Sequence, residues 1–333
     1  MRNQILYIFR KTSQFFSIEN VFGPIIKQLG QYDGLEALAV TVPREGFSIG
    51  TLWANSVFAR RQRAALYHVT GDIHYVTLFL PGSKTILTIH DCVSMNQPAG
   101  PKRWLLKKLL LDWPVAHCRR ITTISENTRN DILRYTGCDP RKIVVIPNFI
   151  DPDFRPGSPT SFRDRPRILF VGTTENKNLD RLAQAMEGVP AELDIIGDLG
   201  EHQKACLRRY KIAYTQCSRI SREALLEHYH GCDLVAFPST YEGFGLPILE
   251  GQAVGKPVLT SAISPMREVA GDGACLVDPY DAGSIREGLL RITGDPDYRD
   301  GLVRSGLTNA AKYSLGNIVE SYARLYTGLL EKK

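Results

Sequence analysis

A short apolar run, Asp233 to Pro238 (DLVAFP), passes directly into the glycine-bearing loop STYEGFG and then into the apolar-rich stretch LPILEGQAV. A run of that length, closed by a polar loop, reads as a buried strand that restarts as a helix, the repeating unit of open parallel sheets. Pro247 suits the first turn of that helix, which continues through Ala253. Gly243 and Gly245 let the backbone come close to a ligand, and the amides of Phe244, Gly245 and Leu246 lead into the helix N-terminus, where a diphosphate is favoured. Glu242 lies in the loop and Glu250 lies inside the helix, with seven residues between them. Two carboxylates so spaced can flank one polyhydroxylated ligand, because vicinal diols donate hydrogen bonds to them.

The same alternation runs along the whole chain. Strands are expected at Gln4 to Phe9, Leu66 to Val69, Thr85 to Ile89, Ile121 to Ile124 and Lys142 to Pro147. A second series follows at Arg167 to Gly172, Glu192 to Gly197, Ile212 to Thr215, Asp233 to Phe237, Val258 to Thr260 and Cys275 to Val277. Helices are expected from near Glu19, after Ser125, from Leu179, near Gln203 to Arg209, at Arg222 to Tyr229, after Asp281 and Asp297, and from Leu315 to Leu330. At 333 residues the chain exceeds what one hydrophobic core serves, so two domains are expected. The stretch Asp151 to Pro166 holds Pro152, Pro156, Pro159 and Pro166 without strand or helix periodicity and reads as a linker between residues 1–150 and 167–314.

The two glutamates around GFGLP, followed by GKPV and PMREVAGDGACLVDP, resemble the donor-site signature of retaining glycosyltransferases of family 4. The resemblance implies an α/β GT-B fold, two Rossmann-like parallel-sheet domains facing each other across a cleft, with the helix of about 315–333 crossing back to the first domain. It implies that Glu250 holds the ribose diol of a nucleotide and Glu242 contacts the transferred sugar, while the amides of Gly243, Phe244, Gly245 and Leu246 cradle the diphosphate. The turn Gly172, Thr173, Thr174 to Lys177 is similar to the family's phosphate-binding turn. Lys177 matches its lysine, whereas threonines stand where its arginine is usual. Ile220, in the loop Ser218 to Ser221, corresponds to the base-contacting region.

In the first domain, His90 follows the strand Thr85 to Ile89, and strand C-termini in such sheets open onto ligands. His90 resembles the family's active-site histidine, which orients the sugar and the attacking hydroxyl. His74 and Asp91 are further acceptor-side candidates. The family's paired glycines after the first strand are replaced by SQFFSIENVF, where Ser17, Glu19 and Asn20 can supply polar groups instead. The catalytic set expected is therefore His90, Glu242 and Lys177. No metal site and no cofactor are expected, the nucleotide diphosphate sugar being the donor substrate.

Charge divides unevenly: residues 1–150 carry 19 Lys and Arg against 10 Asp and Glu, and the remainder 22 against 25. The segment Pro101 to Arg120 interleaves Lys102, Arg103, Lys107, Lys108, Arg119 and Arg120 with Trp104, Trp113 and leucines. It reads as a basic amphipathic helix suited to an anionic bilayer surface, or as a helix packed on its sheet with solvated lysines. The N-terminal apolar run is too short for a signal segment and no apolar run approaches 18 residues, so a cytoplasmic chain, peripheral at most on the inner face of the membrane, is expected. The seven cysteines show no C-x-x-C pair and read as buried free thiols.

The resemblance implies transfer of a sugar from a nucleotide diphosphate sugar to a hydroxyl of a saccharide or lipid-linked acceptor. The alternatives are a nucleotide-sugar epimerase and a catalytically silent nucleotide-sugar-binding subunit. Nucleic-acid binding is disfavoured because the basic residues form no recognised motif. Dinucleotide oxidoreduction is disfavoured because no G-x-G-x-x-G follows the first strand.

Overall fold

The computed structural model describes residues 3–11, 17–92, 95, 100–157 and 161–331, Ser17 by its backbone alone. The chain forms two compact units, Met1–Phe149 with Leu315–Lys333, and Ile150–Ser314.

Unit 1 is built on six parallel strands: β1 (Asn3–Phe9), β2 (Leu35–Thr41), β3 (Leu66–Val69), β4 (Thr85–Ile89), β5 (Arg120–Thr123) and β6 (Ile143–Val145), in the spatial order β2-β1-β3-β4-β5-β6. The inner strands β3 and β4 are buried at every position, as expected of continuous apolar runs covered on both faces. Strand order reverses between β1 and β3, so the chain leaves those strands in opposite directions and opens a crevice at their C-terminal ends.

Unit 2 repeats the plan with β7 (Arg167–Val171), β8 (Glu192–Ile196), β9 (Ala213–Cys217), β10 (Leu234–Phe237), β11 (Val258–Ser261) and β12 (Cys275–Val277), ordered β12-β11-β10-β7-β8-β9. Here the reversal falls between β7 and β10. The loops after those two strands therefore meet, although more than 60 residues separate them in sequence.

Two elements of unit 1 lie outside the sequence expectations. β2 is an edge strand with mostly exposed side chains, and the helix Ile49–Arg60 exposes Ile49 and Trp53, so neither shows a clear apolar face. Residues 101–120 are not one helix. A helix over Pro101–Lys107 gives way to a π-helical turn over Lys108–Asp112 and a short helix over Trp113–His117, and Arg120 already begins β5. Pro114 has no amide to donate, and Asp112 draws both Lys107 (2.5 Å) and Lys108 (2.8 Å) onto itself across the π turn.

The described residues of the stretch Asp151 to Pro166 are irregular, yet they pack as part of unit 2. Phe154 is buried with its ring edge-on to Tyr229 at 5.2 Å, and Arg163 donates to buried Asp233 at 2.7 Å. An aromatic side chain and a charge partner hold this segment where its composition alone reads as a free linker.

The C-terminal helix Leu315–Glu331 packs in unit 1 against the helix Ser17–Leu29. Its Tyr326 enters a fully buried polar chain. The hydroxyls of Tyr7 and Tyr326 lie 2.5 Å apart, Tyr326 meets His68 Nδ1 at 2.6 Å, and His68 Nε2 meets the Thr88 hydroxyl at 2.6 Å, which in turn meets Thr122. Burial holds the His68 imidazole neutral, its pKa lowered to about 3. No described helix is long and apolar enough to cross a membrane.

Candidate active site

The loops after β7 and β10 interlock through one asparagine. Asn176 donates from its side-chain amide to the carbonyl of Tyr241 (2.8 Å) and to Glu242 Oε1 (3.2 Å), while its backbone carbonyl accepts from the Thr240 backbone amide at 2.8 Å. Lys177 Nζ donates to the same Glu242 oxygen at 2.7 Å and lies 4.5 Å above the centre of the Phe237 ring. Both side chains are largely buried, which strengthens the pair over a surface contact.

Backbone shape puts Lys177 there. Gly172 has a φ of +88°, and a Cβ on it would lie 2.9 Å from Lys177 Cε. Asn178 then takes the left-handed conformation, with φ at 69°, and its side-chain amide ties the turn to the carbonyls of Pro238 (2.9 Å) and Pro279 (2.7 Å). Thr173 and Thr174 flank the turn, but their hydroxyl protons go to the Asp198 carbonyl and to Asn176 Oδ1, both at 2.7 Å. In this arrangement they donate within the protein, and Lys177 is the cation of the turn.

The glycine loop has the shape its sequence demands. Gly245 has a φ of 116° and precedes the helix Leu246–Ala253, with Pro247 in the first turn. The amides of Phe244, Gly245 and Leu246 donate to no described residue. The Phe244 ring is buried and packs edge-on to Tyr313 at 6.0 Å, which fixes the loop.

Glu250 stands on that helix with one oxygen accepting from the Tyr229 hydroxyl at 2.5 Å. Its other oxygen accepts no hydrogen bond from a described residue. Burial raises the Glu250 pKa, opposed by the Tyr229 hydrogen bond and by the charges of Arg222 and Lys177. Tyr229 is fully buried on the helix Arg222–Gly231, and Arg222 at its start is held by Asp151 and Asp153. Ile220 lies half-buried in the loop before this helix, next to Arg219, which adopts a φ of 53°.

Sequence reasoning missed Asn176, Tyr229 and Arg222. Asn176 sits inside the recognised turn and carries a signal of its own, an amide able to bridge two loops. Tyr229 and Arg222 carry none, because their partners are distant in sequence.

In unit 1, His90 follows β4 and is anchored by the Thr128 hydroxyl, which donates to its carbonyl at 3.2 Å, and by an edge-on contact with Phe22 at 6.1 Å. Thr128 in turn belongs to the helix that Ser125 caps. His90 Nε2 is buried without a hydrogen-bond partner among the described residues. Burial, aided by the neighbouring His74, lowers the His90 pKa to about 4, so the ring is neutral at pH 7. The His74 pKa is likewise lowered by burial, and its Nδ1 bonds the Leu110 carbonyl inside the π turn.

The remaining acceptor-side candidates are scattered. Both carboxylate oxygens of Glu19 are buried without a described partner, Asn20 is exposed, and Asp91 is exposed at the cavity that His74 and His90 line. The Ser17 side chain lies outside the described residues.

Known proteins resemble this chain over both units. Residues 32–154 match the family profile "Glycosyltransferase Family 4" and residues 153–307 match "Glycosyl transferases group 1". The O-antigen chain mannosyltransferase B of Escherichia coli is 27% identical over 301 residues, covering 80% of this chain and 77% of that protein. Other relatives are longer, and this chain spans 37% to 60% of their length. Among solved structures, sucrose-phosphate synthase of Thermosynechococcus elongatus superposes with a TM-score of 0.76 at 19% identity, covering all of both chains. The Anabaena protein HepE in complex with UDP-glucose gives 0.74 at 14% identity, covering 98% of this chain and all of that one. At such identities the structures establish a shared fold.

Proposed function

The chain belongs to the GT-B glycosyltransferases of group 1 and family 4, and from that premise we propose that it moves a sugar from a nucleotide diphosphate sugar to a hydroxyl of a saccharide or lipid-linked acceptor in cell-surface polysaccharide or glycolipid synthesis. The observation that carries this reading is the convergence of Lys177, Glu242 and Glu250 with the Gly243 to Leu246 amides at one switch point of unit 2. That set offers a diphosphate a cation and the amides of Phe244, Gly245 and Leu246, which donate to no described residue. It offers the ribose diol and the transferred sugar one carboxylate each.

In the reaction, the bond between the anomeric carbon and the diphosphate oxygen breaks as a bond to the acceptor oxygen forms, and the acceptor proton passes to the departing phosphate. Charge grows on the leaving diphosphate, where the Lys177 ammonium and the amides of the glycine loop stabilise it. Lys177 is shared with Glu242 in this structure, and an arriving diphosphate competes for it. Neutral His90 is suited to accept from, or donate to, a hydroxyl without adding charge. Retention of anomeric configuration belongs to this reading, with neither glutamate acting as nucleophile. So does independence of a divalent ion, since the cation and amides take the charge.

Association with an anionic bilayer is part of the same proposal. Trp104, Leu105 and Trp113 are exposed in the basic segment, and Phe47, Ile49 and Trp53 are exposed elsewhere in unit 1. Of the four basic residues at 102–108, Lys107 and Lys108 share the single negative charge of Asp112, so that trio retains one net positive charge, while Lys102 and Arg103 contribute two.

A thermal-shift screen of nucleoside diphosphates and their sugars tests the donor assignment, because ligand that binds the native state raises its apparent stability. One base giving a concentration-dependent rise is the expected result. No shift with any nucleotide would sink it. The missing arginine favours a second reading, a nucleotide-sugar-binding subunit without turnover, and a protein that binds donor but neither transfers nor hydrolyses its sugar would select that alternative.

A further inference from the structure

Unit 1 encloses a cavity of about 540 Å³, the size of a small-molecule site, beside the C-terminal end of β4. Its walls are mainly apolar: Phe47 from the loop before the helix Ile49–Arg60, Ile89 and Met95 around the end of β4, and Leu106, Leu110 and Leu111 from the broken helix. Its polar side is made by Asp72, His74, His90, Asp91 and Lys102. The π turn shapes this wall. It releases the Leu110 carbonyl to His74 Nδ1 and so holds that imidazole against the cavity. His90 contributes a buried ring nitrogen with no partner among the described residues, a costly state that a ligand hydroxyl would relieve.

A saccharide can meet the polar side, but hydroxyls turned to the wall of Phe47, Leu106, Leu110 and Leu111 would stay unpaired, so that wall suits an apolar group. We propose that the cavity receives the apolar part of the acceptor, which is therefore an amphiphile: a saccharide carrying an aliphatic or aromatic group, with its reacting hydroxyl near His90. Each methylene buried there contributes to acceptor selection. The half-exposed Phe47 ring, continued by exposed Ile49 and Trp53, supplies an apolar approach to the opening. This inference rests on the transferase reading and narrows its acceptor class.

The test is calorimetric titration of the full chain with octyl β-glucoside, kept below its micelle concentration, against methyl β-glucoside. The octyl compound is expected to bind at least tenfold tighter. Leu106→Asp is expected to abolish that preference, as is Phe47→Asp, a substitution at a half-exposed site that the fold readily accommodates. Equal affinity for the two glucosides, or variants that keep the octyl preference, would overturn the assignment. Nucleoside diphosphate titration of the same samples separates the two claims. Nucleotide binding without an octyl preference rejects the cavity assignment alone, whereas an octyl preference without nucleotide binding rejects the transferase reading and leaves an apolar-ligand site.

Discussion

Replacing Tyr229 with phenylalanine isolates the hydrogen bond that holds Glu250. The ring is fully buried and stacks edge-on with Phe154, so Tyr229→Phe keeps the packing and deletes only the hydroxyl that donates to Glu250 over 2.5 Å. A hydrogen bond to a charged acceptor contributes about 1.5–3 kcal/mol, and its loss leaves that carboxylate oxygen buried without its donor. Converted at about 1.4 kcal/mol per decade, the donor dissociation constant is expected to rise roughly tenfold to a hundredfold where Glu250 titrates. The pH dependence fixes the cause. Burial already raises the Glu250 pKa and the Tyr229 bond opposes that rise, so removing the bond raises it further. Protonated Glu250 cannot serve the ribose diol as a carboxylate, so the acid limb of donor affinity moves to higher pH in the variant. Titration of the preferred nucleoside diphosphate from pH 5 to 9 reads both effects. An affinity and acid limb identical to the parent would show that Glu250 does not bind the nucleotide as a carboxylate.

Other outcomes follow from the same contacts. Glu250→Ala is expected to weaken donor binding, and Lys177→Ala mainly to lower turnover; unchanged steady-state kinetics in both would overturn the site assignment. Gly172→Ala forces a Cβ to 2.9 Å from Lys177 Cε at a positive φ, and is expected to displace the lysine, lower kcat and lower stability by about 1 kcal/mol. Activity is expected to persist in EDTA, a loss restored by a divalent ion being the contrary result. His68 and His90 are buried neutral, with pKa values lowered to about 3 and about 4 against an ordinary 6.5. The unfolded chain takes up those protons first, so stability is full above pH 6.5 and falls below it, by roughly 1.4 kcal/mol per histidine between pH 7.5 and 5.5. Urea unfolding followed in unit 1 at those two pH values measures this, and an unchanged midpoint would refute it. Neutralising Lys102 and Arg103 is expected to reduce binding to anionic liposomes more than neutralising Lys107 and Lys108.

The sequence by itself determined nearly every strand and the shape of the glycine loop, because those features are local. Buried strands show as apolar runs, Gly172 and Gly245 stand where the backbone needs a positive φ, and Pro247 and Ser125 mark helix starts. Elements without a contrasted face, β2 and the helix Ile49–Arg60, gave no such signal, and the helix expected over 101–120 was broken by Asp112 and Pro114. Only the tertiary structure decided which side chains meet. The reversal of strand order between β7 and β10 brings Lys177 to Glu242 across 65 residues, and helix packing brings Tyr229 to Glu250. Periodicity records which face of an element is buried, whereas the partner across the contact depends on sheet order and packing, which no local stretch encodes.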